Sequence, residues 1–449
     1  MKTPIRDFLT EYALSDTVRF HMPGHKGRIP GYEEDITEIQ GADSLYEASG
    51  IIAESELNAS GLFGTAATFY SAEGSSQCIR AMLALACKWG NACKGNMILA
   101  ARNAHHAFIT AAALLGLEVE WLYPEDTEYS LCSCRVSAAQ VREKISSMKV
   151  KPAAVYLTSP DYLGGMQDIR SISEAVHEFD IPLLVDNAHG AYLHFLEPAI
   201  HPIDLGADMC CDSAHKTLPA LTGCAYLHVS SEAADKDTYI NYAKKALALF
   251  GSTSPSYMLL RSLDETNAVL AGTFREDLKK CCEAVRKCTQ RLNCQGWTLH
   301  GEEPLKITVD AAAAGFEGGK LADILRQSGI ECEYADPDYV VLMLSPYNDS
   351  KDYERLVSAM DKVSDSISKC SKSALPGMKP EKVLTIREAM FSASEIISSD
   401  SAAGRVLADT DLSCPPAVPL LVCGERIPEG AAELFAHYGI TQVAVVCEL

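Results

Sequence analysis

The stretch Asp212-Ser213-Ala214-His215-Lys216-Thr217-Leu218 decides the reading of this chain. It follows a short apolar run, Ala207-Asp208-Met209-Cys210-Cys211, with the length and composition of a strand. Ser, His and Lys at a strand end place a primary amine beside two groups able to hold a phosphate. Pyridoxal phosphate (PLP) needs that combination. The amine holds the aldehyde as a Schiff base, while hydroxyl and imidazole bind the phosphate. Taken alone, the same residues also read as a solvated loop with a surface Lys.

Outward from this stretch, strands and helices alternate. Residues 182–185 are a continuous apolar strand ending at Asp186, and 153–158, 97–100, 119–122, 68–71 and 224–229 read as further strands. Helical spacing covers 4–14, 51–63, 77–88, the stretch up to Leu115, 171–179 and 236–250. Continuous apolar strands between helices predict an α/β fold with a mixed, mostly parallel sheet covered on both faces. We expect an N-terminal segment 1–50, a large domain 51–295 and a smaller C-terminal α/β domain 296–449, with a linker near 371–380. Residues 256–292 read as one long charged helix connecting the domains.

The 449 residues are 47% hydrophobic and 22% charged, with net charge −21, an ordinary globular balance on the acidic side. That charge argues against nucleic acid or an anionic membrane as partner, since both select basic surface. The 17 cysteines are odd in number and sit in apolar settings such as Cys210-Cys211 and Cys281-Cys282. They read as small buried hydrophobes in a reducing cytoplasm rather than a disulfide framework. Cys132-Ser133-Cys134 has no His or carboxylate at metal-ligand spacing, so no metal is expected. Residues 1–19 lack the apolar core of a signal peptide, and no apolar run approaches the ~18 residues of a membrane span.

Ligand groups gather at the carboxyl ends of parallel strands. Gly74-Ser75-Ser76 lies between a strand and a helix expected from Gln77, where backbone N–H groups and hydroxyls suit a phosphate. A plain helix cap by Ser75 or Ser76 is the other reading. Asp186 at its strand end suits a pyridinium N–H, and also suits an ordinary turn. His105 or His106 opens the helix after residues 97–100, ready to stack on a ring or to stay solvated. Asp186 and Lys216 are separated by one strand-helix-strand unit, so both can face one crevice.

With these residues in place the chain resembles the ornithine/lysine/arginine decarboxylase family, PLP enzymes of the aspartate aminotransferase fold (fold type I). The resemblance runs nearly end to end. It is carried by His21-Met22-Pro23-Gly24-His25-Lys26, Arg102-Asn103-Ala104-His105, Thr158-Ser159-Pro160-Asp161-Tyr162, Asp186-Asn187-Ala188-His189-Gly190 and Ser213-Ala214-His215-Lys216-Thr217-Leu218. Thr253-Ser254-Pro255-Ser256-Tyr257 and Pro415 to Pro419 with Gly424-Glu425-Arg426 extend it. Ser-Ala-His-Lys by itself also resembles cysteine desulfurases, but those continue into a Gly-Pro-rich turn, whereas Thr217-Leu218-Pro219-Ala220 follows here.

The resemblance implies these roles. Lys216 forms the Schiff base, Asp186 pairs with the ring nitrogen, His105 stacks on the ring and Ala188 packs on its other side. His189 lies near ring and substrate. Gly74, Ser75, Ser76, Ser213 and His215 hold the phosphate, with Ser252 contributed by a partner subunit of a homodimer or larger homo-oligomer. The implied reaction is decarboxylation of a small cationic amino acid in polyamine metabolism, with arginine favoured over lysine or ornithine. Asp336, Glu333 and Glu425 are candidates for the distal cation, although each reads first as a surface carboxylate. The chain departs from the family at Glu73, at His106-Ala107, at Asn187 and at Asp212. It lacks the family's N-terminal wing, so wing-built rings are not expected. The rivals are a fold type I aminotransferase and a silent PLP-binding paralogue. The strand at 340–345 lacks the Arg with which such aminotransferases clamp the α-carboxylate.

Overall fold

The computed structural model describes residues 1–90, 95–124, 132–368, 378–409 and 418–447. In chain order the main strands are β1 (Ala67–Ser71), β2 (Met97–Ala101), β3 (Glu118–Leu122), β4 (Ala154–Thr158), β5 (Leu183–Asp186), β6 (Met209–Asp212) and β7 (Ala225–Val229). The chain forms two compact units, one of Met1–Asn96, Met148–Ser159 and Asp168–Asp277, the other of Met97–Ser147, Pro160–Gln167 and Leu278–Leu449.

In the first unit the strands run in the order β1-β7-β6-β5-β4. β4, β5 and β6 are parallel, whereas β7 is antiparallel to both β6 and β1. Every residue of β5, β6 and β7 is buried, as expected for continuous apolar strands covered on both faces. The helix Gly74–Lys88 buries ten of its fifteen residues, among them Ile79, Met82, Leu83 and Leu85, so it is a core helix rather than a surface one. Ile169–His177 shows the opposite pattern. It buries a stripe of Ile169, Ile172 and Val176, and Asp168 caps it by accepting the Ser171 N–H. The N-terminal helix Pro4–Leu14 belongs to this unit. Its start is capped from far along the chain, by Asp264 Oδ2 accepting the N–H groups of Ile5 (3.0 Å) and Arg6 (3.1 Å).

The second unit holds the parallel pair β2–β3 and a four-stranded antiparallel sheet. That sheet runs Tyr334–Ala335, Tyr339–Met343, Lys306–Asp310, Leu299–His300. Ser394–Ser398 pairs antiparallel with Gln442–Val446. Leu407, Leu421, Leu434, Phe435 and Val445 pack in a common core with Tyr339 and Val341. No helix among the described residues is long and apolar enough to cross a membrane.

Two expectations need correction. The long helix at 256–292 is two helices, Tyr257–Leu270 and Phe274–Cys294. Gly272 closes the first by donating to Val269 O, and Thr273 O accepts from Glu276 and Asp277 to start the second. The core helix begins at Gly74 rather than Gln77. The polar helix Ala138–Ser147 and the largely exposed strand Ser394–Ser398 carry too little apolar periodicity to be read in advance. Of the expected linker, residues 371–377 lie outside the described residues, as do residues 415–417 of the Pro415–Pro419 motif.

Candidate active site

The first unit places Asp186, Ala188, His189, Ser213, His215 and Lys216 at or just after the carboxyl ends of β5 and β6. Lys216 lies in a four-residue helix, Ala214–Thr217, immediately after β6. Its Nζ is 3.0 Å from His189 Nε2, and His189 is buried in the turn after β5. Parallel pairing sets Asp186 opposite Thr158 and Cys211, so neighbouring strand ends present these residues at one level.

Asp186 is 2% exposed and is met by three donors. Tyr156 OH donates to Oδ2 at 3.2 Å, Ala188 N–H to Oδ1 at 3.1 Å, and the Cys211 thiol to Oδ1 at 3.7 Å. Burial, reinforced by the Asp186 charge, raises the Tyr156 phenol and the Cys211 thiol well above their ordinary ranges. Both therefore stay protonated and act as donors at neutral pH. Asp186 is thus a buried acceptor held by three donors, a group that would suit the N–H of a pyridinium.

The phosphate end also fits. The helix Gly74–Lys88 starts at Glu73, and no side chain caps it. Ser75 and Ser76 are not caps but lie in its first turn, which leaves the positive end of a fifteen-residue helix for an anion. Ser213 Oγ donates to Ser75 Oγ at 2.8 Å, joining the two expected phosphate loops. His215 Nδ1 donates to Cys224 O at 3.0 Å, which fixes the ring. Thr217 Oγ1, beside Lys216, and Asn187 Oδ1, beside Asp186, are buried polar atoms without a partner. A Cβ built on Gly74 would meet no atom within 4 Å, so the front of the helix is open. The residues present fit PLP.

Gly74 has φ +71°, in the left-handed region. Because a methyl group there has space, Gly74→Ala should cost only the backbone penalty, about 1–2 kcal/mol. Denaturant unfolding of the cofactor-free protein measures it. An unchanged midpoint would mean that the turn relaxes.

Ser252 is exposed, and its N–H approaches Glu73 Oε1 of the same chain at 3.4 Å. His105 belongs to the second unit, where it caps Leu115's helix from the front: its Nδ1 accepts the Ala107 N–H at 3.0 Å. The distal-cation candidates are also in the second unit. Glu425 is buried against Arg102 (3.1 Å) and accepts the Val422 N–H (2.7 Å). Asp336 Oδ1 accepts the N–H groups of Asp338 and Tyr339. Both carboxylates serve the unit's own turns. Glu333 is exposed and accepts from Tyr162 OH at 3.2 Å. Sequence reasoning missed Tyr156 and Cys211, whose only signal was a Tyr and a Cys inside apolar strands. The strand register brings them to Asp186.

Comparison with known proteins gives the family and the fold. The family model described as "Orn/Lys/Arg decarboxylase, major domain" matches residues 3–311. An arginine decarboxylase of Bacillus subtilis is 29% identical over 461 residues, covering 95% of this chain and 92% of the relative. A lysine decarboxylase of Francisella novicida superposes with TM-score 0.81 at 16% identity, over 99% of this chain and 81% of that one. The constitutive lysine decarboxylase of E. coli gives TM-score 0.78 at 18% identity, over 99% and 82%. These structures share the fold, that of PLP-dependent fold type I enzymes.

Proposed function

Because the chain belongs to the Orn/Lys/Arg decarboxylase family, we propose that it decarboxylates a basic amino acid, arginine first, using PLP bound at Lys216. The single observation that carries the site is Lys216 Nζ 3.0 Å from His189 Nε2, next to the strand end that bears Asp186. PLP, when bound, supplies an electron sink for the pair left at Cα as the bond to the carboxylate breaks.

The residues do the rest. Lys216 would hold the PLP aldehyde through its primary amine, and the same amine can serve as an acid or base. CO₂ leaves without the bonding electrons, and Lys216 or His189 returns a proton to Cα. Asp186, aligned by Tyr156, Ala188 and Cys211, would hold a proton at the ring nitrogen of bound PLP. Ser75, Ser76, Ser213, His215 and the helix end at Gly74 bind the phosphate. The product is agmatine from arginine, or a diamine from lysine or ornithine. No Arg stands in the strand Tyr339–Met343, which favours loss of the carboxylate over its retention in transamination.

The enzyme works in the cytoplasm, in polyamine biosynthesis, as a homodimer or larger homo-oligomer. Free thiols at Cys78, Cys210, Cys211 and eleven further described cysteines support a reducing compartment. The test is a panel of arginine, lysine and ornithine with the PLP-loaded protein, reading CO₂ and amine product. Arginine should give the highest kcat/KM. A cofactor-loaded protein that releases CO₂ from none of the three would sink the proposal.

A further inference from the structure

A largely buried polar network runs through β6 and β7 of the first unit, and the reaction does not use it directly. Its centre is Asp212, the last residue of β6, 0% exposed. Asp212 Oδ2 is 3.1 Å from His201 Nε2 and 3.1 Å from His228 Nε2, and both imidazoles are also 0% exposed. Asn187 Nδ2 donates to Asp212 Oδ1 at 2.6 Å. His228 in β7 continues through Nδ1 to Thr68 Oγ1 (2.8 Å) in β1, and Thr68 continues to Thr65 (2.8 Å). The network thus crosses from the edge of the sheet to the turn after β5.

His201, Cys210 and Asp212 place ligand atoms within 4.8 Å of one another, a spacing open to a metal ion. The hydrogen bonds argue otherwise. The Ile203 backbone N–H donates to His201 Nδ1 at 3.3 Å, so a neutral His201 carries its proton on Nε2 and donates it to Asp212. Metal on Nε2 would require loss of that proton as well. Burial, opposed by Asp212, lowers His228 below the ordinary histidine range, so His228 donates to Asp212 as a neutral ring. Burial alone would raise the Asp212 carboxyl, but the two histidines outweigh it and hold the group well below the usual carboxylate range.

Asn187, which donates to Asp212, lies in the Asp186–His189 turn. That turn carries Asp186, Ala188 and the His189 that meets Lys216, while Asp212 itself begins the loop to Lys216. We propose that Asp212 is a positioning residue: anchored by His201 and His228, it ties the Asp186–His189 turn to the Lys216 loop through Asn187 and so sets the cofactor site. This rests on PLP being the cofactor. The tie requires one amide and one carboxylate, and their order along the chain is interchangeable.

The test is PLP titration of the cofactor-free protein, reading the dissociation constant and the visible spectrum, with its melting temperature as a control for folding. Asn187→Ala leaves both histidine bonds to Asp212 in place, and should weaken PLP binding about tenfold to a hundredfold, the range for losing a hydrogen bond to a charged group. Exchanging the pair, Asn187→Asp with Asp212→Asn, restores a donor facing an acceptor. It should recover PLP affinity and the wild-type spectrum. An Asn187→Ala protein that binds PLP like the wild type overturns the proposal, and so does a folded exchange variant as weak as Asn187→Ala. A wild-type chain that takes up no PLP sinks the functional reading first, and the positioning role with it.

Discussion

Lys216→Ala should abolish the visible absorbance of covalently held PLP and lower kcat by roughly 10⁴-fold or more, the scale seen when a covalent catalytic group is removed. The size follows from Lys216 having two duties, anchoring the aldehyde and then moving a proton. The fold should survive. Lys216 is only partly buried, and its helix Ala214–Thr217 is held by backbone bonds, including Leu218 N–H to Ala214 O at 2.8 Å. PLP itself should still bind without the covalent link, because Ser75, Ser213 and the helix end at Gly74 are untouched. Absorbance spectra with added PLP, and CO₂ release, measure the two losses. A Lys216→Ala protein that keeps both the wild-type spectrum and turnover would remove Lys216 from the mechanism.

Asp186→Asn is expected to lower kcat by about 10²- to 10³-fold, or ~2.7–4 kcal/mol of transition-state stabilisation, as for loss of one preorganised electrostatic partner. Asn has the same shape, and its amide oxygen can still accept the Ala188 N–H (3.1 Å). Tyr156 OH and the Cys211 thiol, which reach the carboxylate at 3.2 Å and 3.7 Å, would face an uncharged group. What disappears is the charge that keeps a proton on the ring nitrogen. Because a buried charge is costly to hold, stability should change little or rise. Steady-state kinetics at saturating PLP, with circular dichroism as a control, separates the two effects. Turnover within a few fold of wild type would mean that Asp186 is a turn residue and nothing more.

Much of this site was legible because its signals are short. Residues 182–185 form an apolar run that stops at a carboxylate, and a single crossover separates Asp186 from Lys216, so the strand-end rule placed both. The helix start was misjudged because Gly74, Ser75 and Ser76 have turn chemistry, while only the fold shows Ser75 and Ser76 inside the first turn. Residues 256–292 show one continuous pattern because a stop and a start at Gly272-Thr273 leave little trace in the apolar period.

The sequence by itself therefore determined the α/β class, the order of the strands and helices around Asp186 and Lys216, and the residues proposed to carry the chemistry. These depend on patterns a few residues long. Only the tertiary structure decided which groups surround them. Strand register brings Tyr156 and Cys211 to Asp186, and β7, lying antiparallel beside β6, brings His228 to Asp212. Asp212 opens the stretch that first pointed to Lys216, and its partners lie 11, 16 and 25 residues away in the chain. No local pattern encodes contacts of that kind, because pairing and packing, rather than proximity along the chain, create them.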